Sequence, residues 1–245
     1  MERPDPRFPR RLSRVSDGGR TGPGLLARIL AGDASRRTRF HDELGRRVAL
    51  SRIVRNLPRA VFGGARRIAF GALPSRPWIS YDAQRLLATF LGEKPRTMLE
   101  FGSGQSTRWY AERTEKFLSI EDDRDWFAIV ERQLAGMPNV ACRLATDRES
   151  YSAPEISTPF DLVMIDGAWR DDCARFALDN VAPGGLIYLD NSDKGSAPGT
   201  GDIPAARAFL IDNAERRNWA WEEFTDFAPA QFFVQRGLLI RVGQG

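Results

Sequence analysis

The chain has 245 residues, of which 42% are apolar, and a formal net charge of +4 at pH 7. This apolar fraction excludes global disorder, and the length suits one α/β domain with an appendage or two small domains. One histidine and two cysteines exclude a histidine-rich metal site, a zinc cluster and a disulfide framework. Because no run of about 18 apolar residues occurs, we expect no transmembrane segment and a cytoplasmic protein.

Charge is divided unevenly along the chain. Residues 1–76 carry 18 arginines and 6 acids, a net charge of +12, whereas residues 77–245 carry 18 basic and 26 acidic side chains, a net charge of −8. We therefore expect a basic arm that contacts an anionic surface or mediates oligomerisation. A compositional bias towards arginine, 33 against 3 lysines, would equally explain the charge. No RNA-binding motif favours a specific nucleic acid.

The chain divides into three segments. Residues 1–23 are rich in proline, glycine and arginine, which predicts a disordered tail. Residues 24–77 place apolar side chains at helical spacing among arginines, which predicts a basic helical arm. Residues 78–245 have the regular pattern of a folded domain.

Within this domain, strand-like runs alternate with helical patterns. A helix is predicted from Ser80 to about residue 91. Strands are predicted at 97–101, 117–121, 139–144, 160–166 and 185–190, and helices at 106–115, 124–135, 171–180 and 203–217. This alternation predicts an α/β fold with a doubly wound, mostly parallel, Rossmann-like sheet. Two last strands, at 221–227 and 231–242, predict a C-terminal antiparallel hairpin that brings the sheet to seven strands.

A glycine turn follows the first predicted strand, in Glu100-Phe-Gly-Ser-Gly104. Glycines 102 and 104 would let the backbone approach a ligand closely. Thr107 stands where a dinucleotide site has its third glycine, and no Gly-Lys-Ser/Thr phosphate-binding sequence occurs. Together with Glu121 at the end of the next apolar run, the turn predicts a nucleoside ligand without a phosphate cradle, such as S-adenosylmethionine.

Over residues 80–242, these motifs resemble those of the class I S-adenosylmethionine-dependent methyltransferases. The resemblance implies that the cofactor's methionyl part lies over the turn and that Glu121 binds its ribose hydroxyls. Asp147, after the third strand, matches a position that contacts the adenine amino group, although a plain loop acid is an equal interpretation. The implied cofactor-binding residues are Glu100, Gly102, Gly104, Ser106, Glu121 and Asp147.

A second group of polar residues follows the fourth and fifth strands, namely Asp166 and the pair Asp190-Asn191. It partially resembles the metal site of catechol-type O-methyltransferases, which implies Mg²⁺ on these three residues. Those enzymes have a lysine base three residues after the first aspartate. Here Trp169 occupies that position and Arg170 follows it, and an arginine cannot serve as a base. The alternative is direct contact of these residues with the acceptor, with Arg170 orienting Asp166 or holding an anionic group.

We therefore expect a methyltransferase that O-methylates a small-molecule or sugar-like acceptor. Its catalytic residues would be Asp166, Arg170, Asp190 and Asn191. The glycine-rich loop 192–204 would act as a lid. An aminopropyltransferase-like enzyme and a non-catalytic nucleoside-binding module with a basic interaction arm remain as alternatives.

Overall fold

The computed structural model describes residues 35–71, 74, 76–195 and 202–244. The predicted tail at 1–23, the start of the arm and residues 196–201 of the predicted lid lie outside the described residues. The helices are α1 (Leu50–Phe70), α2 (Tyr81–Gly92), α3 (Thr107–Ala111), α4 (Arg124–Leu134), α5 (Arg148–Ser152), α6 (Arg170–Asn180) and α7 (Ile203–Arg216). The strands are β1 (Thr97–Phe101), β2 (Lys116–Glu121), β3 (Val140–Leu144), β4 (Phe160–Ile165), β5 (Val181–Leu189), β6 (Ala220–Phe227) and β7 (Val234–Arg241).

All seven strands form one sheet in the order β3-β2-β1-β4-β5-β7-β6. Strands β1 to β5 are parallel, and β7 runs antiparallel to both of its neighbours. The predicted doubly wound sheet and C-terminal hairpin are therefore confirmed. Chain order reverses between β1 and β4, which opens a crevice at the carboxyl ends of these strands.

Two apolar layers cover the sheet, because successive side chains of a strand point to opposite faces. Leu99 and Phe101 of β1 pack on the face covered by α6 and α7. Met98 packs on the other face, against α2, α3 and α4. The carboxylate of Glu100 shares this second face and is only 1% exposed. An acid thus enters the core directly beneath the glycine turn.

Strand β7 begins at Val234 rather than at residue 231, and three other elements differ more. Helix α3 ends at Ala111 rather than at residue 115, since the Arg113 N–H bonds to the Tyr110 carbonyl in a tighter turn. Helix α5 was not predicted, and Asp147 caps its first turn by accepting from the Ser150 N–H. Strand β5 begins at Val181, before the Pro-Gly-Gly sequence that broke its apolar pattern.

The arm residues nearest the domain pack on the hairpin side of the sheet. In α1, Asn56 and Ala60 are fully buried, and the Asn56 amide donates to Asp226 Oδ2 at 2.5 Å. Arg52 pairs with Asp82 of α2 at 2.7 Å. In the described part of the chain, none of the helices combines the length and apolar character needed to cross a membrane.

Candidate functional site

Two loops meet at the carboxyl edge of the sheet, one after β1 and one after β4. Gly102 has a φ of +94°, and a Cβ there would lie 2.6 Å from the Cα of Gly167. The Asp166 N–H also donates to the Phe101 carbonyl at 2.9 Å. A glycine is therefore required at position 102 by backbone conformation and by the second loop. This contact holds the glycine turn beside Asp166.

The Glu100 carboxylate supports the glycine turn from inside the protein. Its Oε2 accepts from the Thr107 hydroxyl at 2.7 Å and from the Ser119 hydroxyl at 2.8 Å. Thr107 Oγ1 in turn accepts from the Gly104 N–H at 2.7 Å. Burial raises the pKa of Glu100 to about 8. In this geometry Glu100 positions the turn, and its carboxylate is engaged by protein hydroxyls.

Gly104 differs from Gly102 in its surroundings. A Cβ at Gly104 would meet only the Ser106 hydroxyl, at 3.6 Å, which is an ordinary contact. The fold therefore has room for a side chain there. Ser106 is half-buried beside it and makes no capping bond to α3. The outer surface of the turn can thus accept a ligand against its backbone.

Glu121 ends β2, next to the turn, and is 5% exposed. Its Oε1 accepts from the backbone N–H groups of Asp122 and Asp123 at 3.0 and 2.9 Å. Burial raises the pKa of this carboxyl to about 7. Asp123, a competing candidate, caps α4 by accepting from the Trp126 N–H at 2.9 Å. Of these acids, Glu121 is the one set into the sheet edge.

Asp147 lies on the surface after β3. Both of its carboxylate oxygens accept from Ser150, at 2.9 Å from the backbone N–H and 2.5 Å from the hydroxyl. These hydrogen bonds lower the pKa of Asp147. The residue borders an open cavity of about 460 Å³ near the end of β2, together with Ile120 and Ala145. Asp147 is the N-cap of α5. A contact of Asp147 with the adenine amino group would have to be made while its carboxylate also accepts these hydrogen bonds.

Arg170 connects the loops after β4 and β5. Its guanidinium donates to the carbonyls of Gly167 and Asp190, at 2.9 and 2.6 Å, and to Asp166 Oδ1 at 3.2 Å. The Arg170 N–H donates to Asp202 Oδ2 at 2.6 Å. Nε, Nη1 and Nη2 each donate to a protein acceptor, so the guanidinium links the two loops and contacts Asp166. A role of Arg170 in orienting Asp166 stays a prediction.

The carboxyl groups of Asp166 and Asp190 lie close enough to affect each other's pKa. Asp190 is 4% exposed, and its Oδ1 has no hydrogen-bond partner among the described residues. Burial and the neighbouring Asp166 charge raise the pKa of Asp190 well above its ordinary value. Burial also raises the pKa of Asp166, whose side chain is 37% exposed. The two carboxyls thus disfavour each other's ionisation.

The Mg²⁺ predicted on Asp166, Asp190 and Asn191 stays a prediction, and two contacts compete with it. Arg170 donates to Asp166 Oδ1 at 3.2 Å, and Asn191 Nδ2 donates to Asp190 Oδ2 at 2.5 Å. No group of three or more His, Cys, Asp or Glu side chains is arranged for a metal in the part of the chain described. Magnesium requires an octahedral set of oxygen ligands, and Asp166 Oδ1 would have to be shared between Arg170 and such an ion.

Two residues beside this pair have strained backbones. Trp169 has a φ of 44° and Asn191 a φ of 54°, both in the left-handed region that disfavours residues other than glycine. Strain of this kind is concentrated at functional sites, where surrounding contacts hold it in place. Asparagine tolerates this region, so the residue type at Asn191 weakly indicates a left-handed backbone, whereas the residue type at Trp169 does not.

Sequence reasoning missed several supporting residues. Trp126 donates its indole N–H to the Ser103 carbonyl at 2.8 Å, and Ser103 bonds to Ser119 at 2.9 Å. The Tyr151 hydroxyl accepts from the Ala168 N–H at 3.3 Å. The alternation of β2 places Ser119, a polar residue, at an inward position, which weakly indicates that its hydroxyl has a buried partner. Nothing in the pattern indicated Trp126 or Tyr151.

No family model and no curated protein matches the chain. Solved structures do match it. The O-methyltransferase TomG from Streptomyces achromogenes, in complex with SAM, is 19% identical, with a TM-score of 0.52 over 79% of this chain and 96% of TomG. An O-methyltransferase from Bacillus cereus, in complex with SAH, is 18% identical, with a TM-score of 0.53 over 80% and 92%.

An rRNA methylase from Streptococcus thermophilus is also similar, at 12% identity and a TM-score of 0.50, over 65% of this chain and 95% of that protein. Likeness at such low identity concerns the fold and does not choose an acceptor. The chain has the Rossmann-like fold of the class I S-adenosylmethionine-dependent methyltransferases.

Proposed function

We propose that this chain is an S-adenosylmethionine-dependent methyltransferase that methylates a hydroxyl oxygen of a small molecule. The observation that carries the proposal is the position of the glycine turn and Glu121 at adjacent strand ends, within a sheet of this order. The similar fold of TomG, which was crystallised with SAM, supports the same cofactor.

The cofactor would lie over the outer surface of the turn, from Gly102 to Ser106. Gly104 leaves this surface free of a side chain. The Glu121 carboxylate would accept hydrogen bonds from the ribose hydroxyls, and the cavity beside Asp147 lies at the next strand end. Bound S-adenosylmethionine supplies an electrophilic methyl group on its sulfonium centre.

Asp166 is the proposed proton acceptor for the substrate hydroxyl. Its carboxylate is 37% exposed and is held by Arg170, so it can meet a substrate hydroxyl in a fixed orientation. As the oxygen–methyl bond forms and the sulfur–methyl bond breaks, the hydroxyl proton passes to Asp166. Asp190 and Asn191 would orient the acceptor beside it, so that catalysis depends mainly on alignment.

Two other functions make different demands on the site. An aminopropyltransferase binds a cationic polyamine, and the buried Arg170 beside Asp166 disfavours a cation there. A non-catalytic nucleoside-binding module would need no paired carboxyls with raised pKa values next to the ligand. The Asp166–Asp190 pair therefore favours an enzyme that transfers a methyl group.

Production of S-adenosylhomocysteine in the presence of hydroxylated small molecules and sugars tests the proposal. We expect Asp166→Asn to lower kcat about 100-fold or more with little change in cofactor affinity. The matched control, Asp125→Asn, changes an exposed acid in the first turn of α4 and should retain full activity. Turnover only with decarboxylated cofactor and a polyamine would favour the aminopropyltransferase, and cofactor binding without any turnover would favour the binding module.

A further inference from the structure

Helix α1 carries an apolar stripe that is exposed to solvent. The stripe consists of Leu50, Val54, Val61 and Ile68, which are 70%, 79%, 47% and 77% exposed. At 100° per residue these positions lie within roughly 40° of one another around the helix axis. They therefore form one continuous edge along the whole helix.

The stripe is distinct from the face that packs on the domain. That face consists of Asn56, Ala60 and Gly64, which are buried. Gly64 packs so closely on the Phe232 ring that a Cβ would collide with it. Because the helix already has its core contacts on this face, the stripe is not needed to hold α1 on the protein.

The remaining side of α1 is basic. The helix contains five arginines and no aspartate or glutamate, and Arg55, Arg59 and Arg66 are exposed on this side. Arg55 has a distant ion pair with Asp82, at 3.7 Å, and no described carboxylate pairs with Arg59 or Arg66. Phe62, 66% exposed, lies between the arginines and the stripe.

We propose that α1 docks on an anionic phospholipid bilayer, with its axis in the plane of the membrane surface. A helix with an apolar edge beside exposed arginines, and too polar to cross the bilayer, has the character of an interfacial helix. The stripe enters the headgroup boundary while the arginines meet lipid phosphates. Pairing with α1 of a second copy is disfavoured, since it would bring ten arginines together without a carboxylate on either helix.

Sedimentation of the full chain with vesicles tests this proposal. We expect binding to vesicles of phosphatidylglycerol and phosphatidylcholine, and none to phosphatidylcholine alone. The triple variant Val54→Ser, Val61→Ser, Ile68→Ser keeps every charge and should weaken binding about tenfold or more. The control Leu44→Ser removes a side chain that is 53% exposed outside α1 and should bind as the unaltered chain does.

All three substitutions are at exposed positions, so the melting temperature of the triple variant should stay within a few degrees of the original. A folded triple variant that still binds anionic vesicles would overturn the proposal, because charge alone would then explain binding. Equal binding to neutral vesicles, or no binding to either kind, would also overturn it. So would a dimer in analytical ultracentrifugation that the triple variant dissociates, since a second copy would then cover the stripe.

Discussion

At the scale of single residues, Glu121 combines deep burial with a pKa raised to about 7. The ionised carboxylate accepts hydrogen bonds from the ribose hydroxyls more strongly than the neutral acid does. We therefore predict that affinity for S-adenosylmethionine rises with pH, by up to about tenfold per unit below pH 7, and levels off above it. Calorimetric titrations across this range measure the effect.

Glu121→Gln serves as the control for this pH dependence. It should bind more weakly at high pH and show a flat profile, because a glutamine does not titrate. A wild-type affinity that stays constant through pH 7, or that falls as pH rises, would contradict the assignment of the ribose site to Glu121.

Gly102 and Gly104 should respond differently to substitution with alanine. Gly102→Ala combines a φ of +94° with a collision against Gly167, so we predict a loss of about 2 kcal/mol or more in the free energy of unfolding. Gly104→Ala meets only an ordinary contact and should leave stability unchanged, while weakening cofactor binding about tenfold. Urea unfolding and calorimetry measure the two effects, and a stable Gly102→Ala variant would contradict the described turn.

Arg170 competes with a metal for Asp166, which gives a prediction on metal removal. A chelator should leave methyl transfer unchanged, whereas Arg170→Met should cost about 3 kcal/mol of stability, because the Gly167 and Asp190 carbonyls and the Asp166 carboxylate lose their donor. The control Arg148→Met removes exposed ion pairs with Asp171 and Asp172 and should change stability little. Loss of turnover with chelator, restored by Mg²⁺, would show that the site does hold a metal.

At the scale of elements, a buried ionic network joins the arm to the loop that follows β5. Arg236 of β7 donates from Nε and Nη2 to Asp42 Oδ2 at 2.8 and 2.6 Å. Asp193 accepts from the Glu43 and Arg236 backbone N–H groups at 3.0 and 3.3 Å. Asp193 is two residues beyond Asn191, so the arm segment fixes one end of the candidate acceptor loop.

We predict that Asp42→Ala lowers the free energy of unfolding by about 3–5 kcal/mol, because it leaves the Arg236 guanidinium buried beside Glu223 alone. It should also raise the KM for the acceptor more than the KM for the cofactor. Arg46→Met removes an exposed arginine from the same network and should change both quantities little. Equal effects of the two substitutions on stability would contradict a buried network.

Strands and long helices of the domain were predictable because their apolar periodicity is strong. The run from residue 160 to 166 read as a central parallel strand, and β4 lies between β1 and β5. The short helix α5 depends on one capping aspartate and was missed. The ionic network could not be predicted, since its partners are separated by up to 194 residues.

At the scale of the whole molecule, local motifs indicated which strand ends carry ligand-binding groups, and the topology brings those ends together. Glu121 and Asp166 lie 45 positions apart in sequence, yet β2 and β4 both flank β1. The motifs could not indicate how deeply each of these side chains is buried or which hydrogen bonds it makes. Arg170 read as a departure from a lysine base, and its three hydrogen bonds to the loops after β4 and β5 could not be read from the motif.

The charge asymmetry also becomes interpretable at this scale. The arginine content of the arm alone was compatible with contact to an anionic surface and with a compositional bias towards arginine. The exposed stripe on α1 is a second feature that composition does not predict, since its four residues must share one side of a helix. The stripe therefore favours the proposed docking surface on α1 over a bias in arginine usage as the explanation of the charge.

Calorimetric titration of the full chain with S-adenosylmethionine tests the central claim most directly. The account predicts saturable binding at one site, weakened about tenfold or more by Glu121→Ala and unaffected by Asp125→Ala, an exposed acid four residues away. No binding at millimolar cofactor, or equal affinity of the Glu121→Ala variant and the unaltered chain, would contradict it.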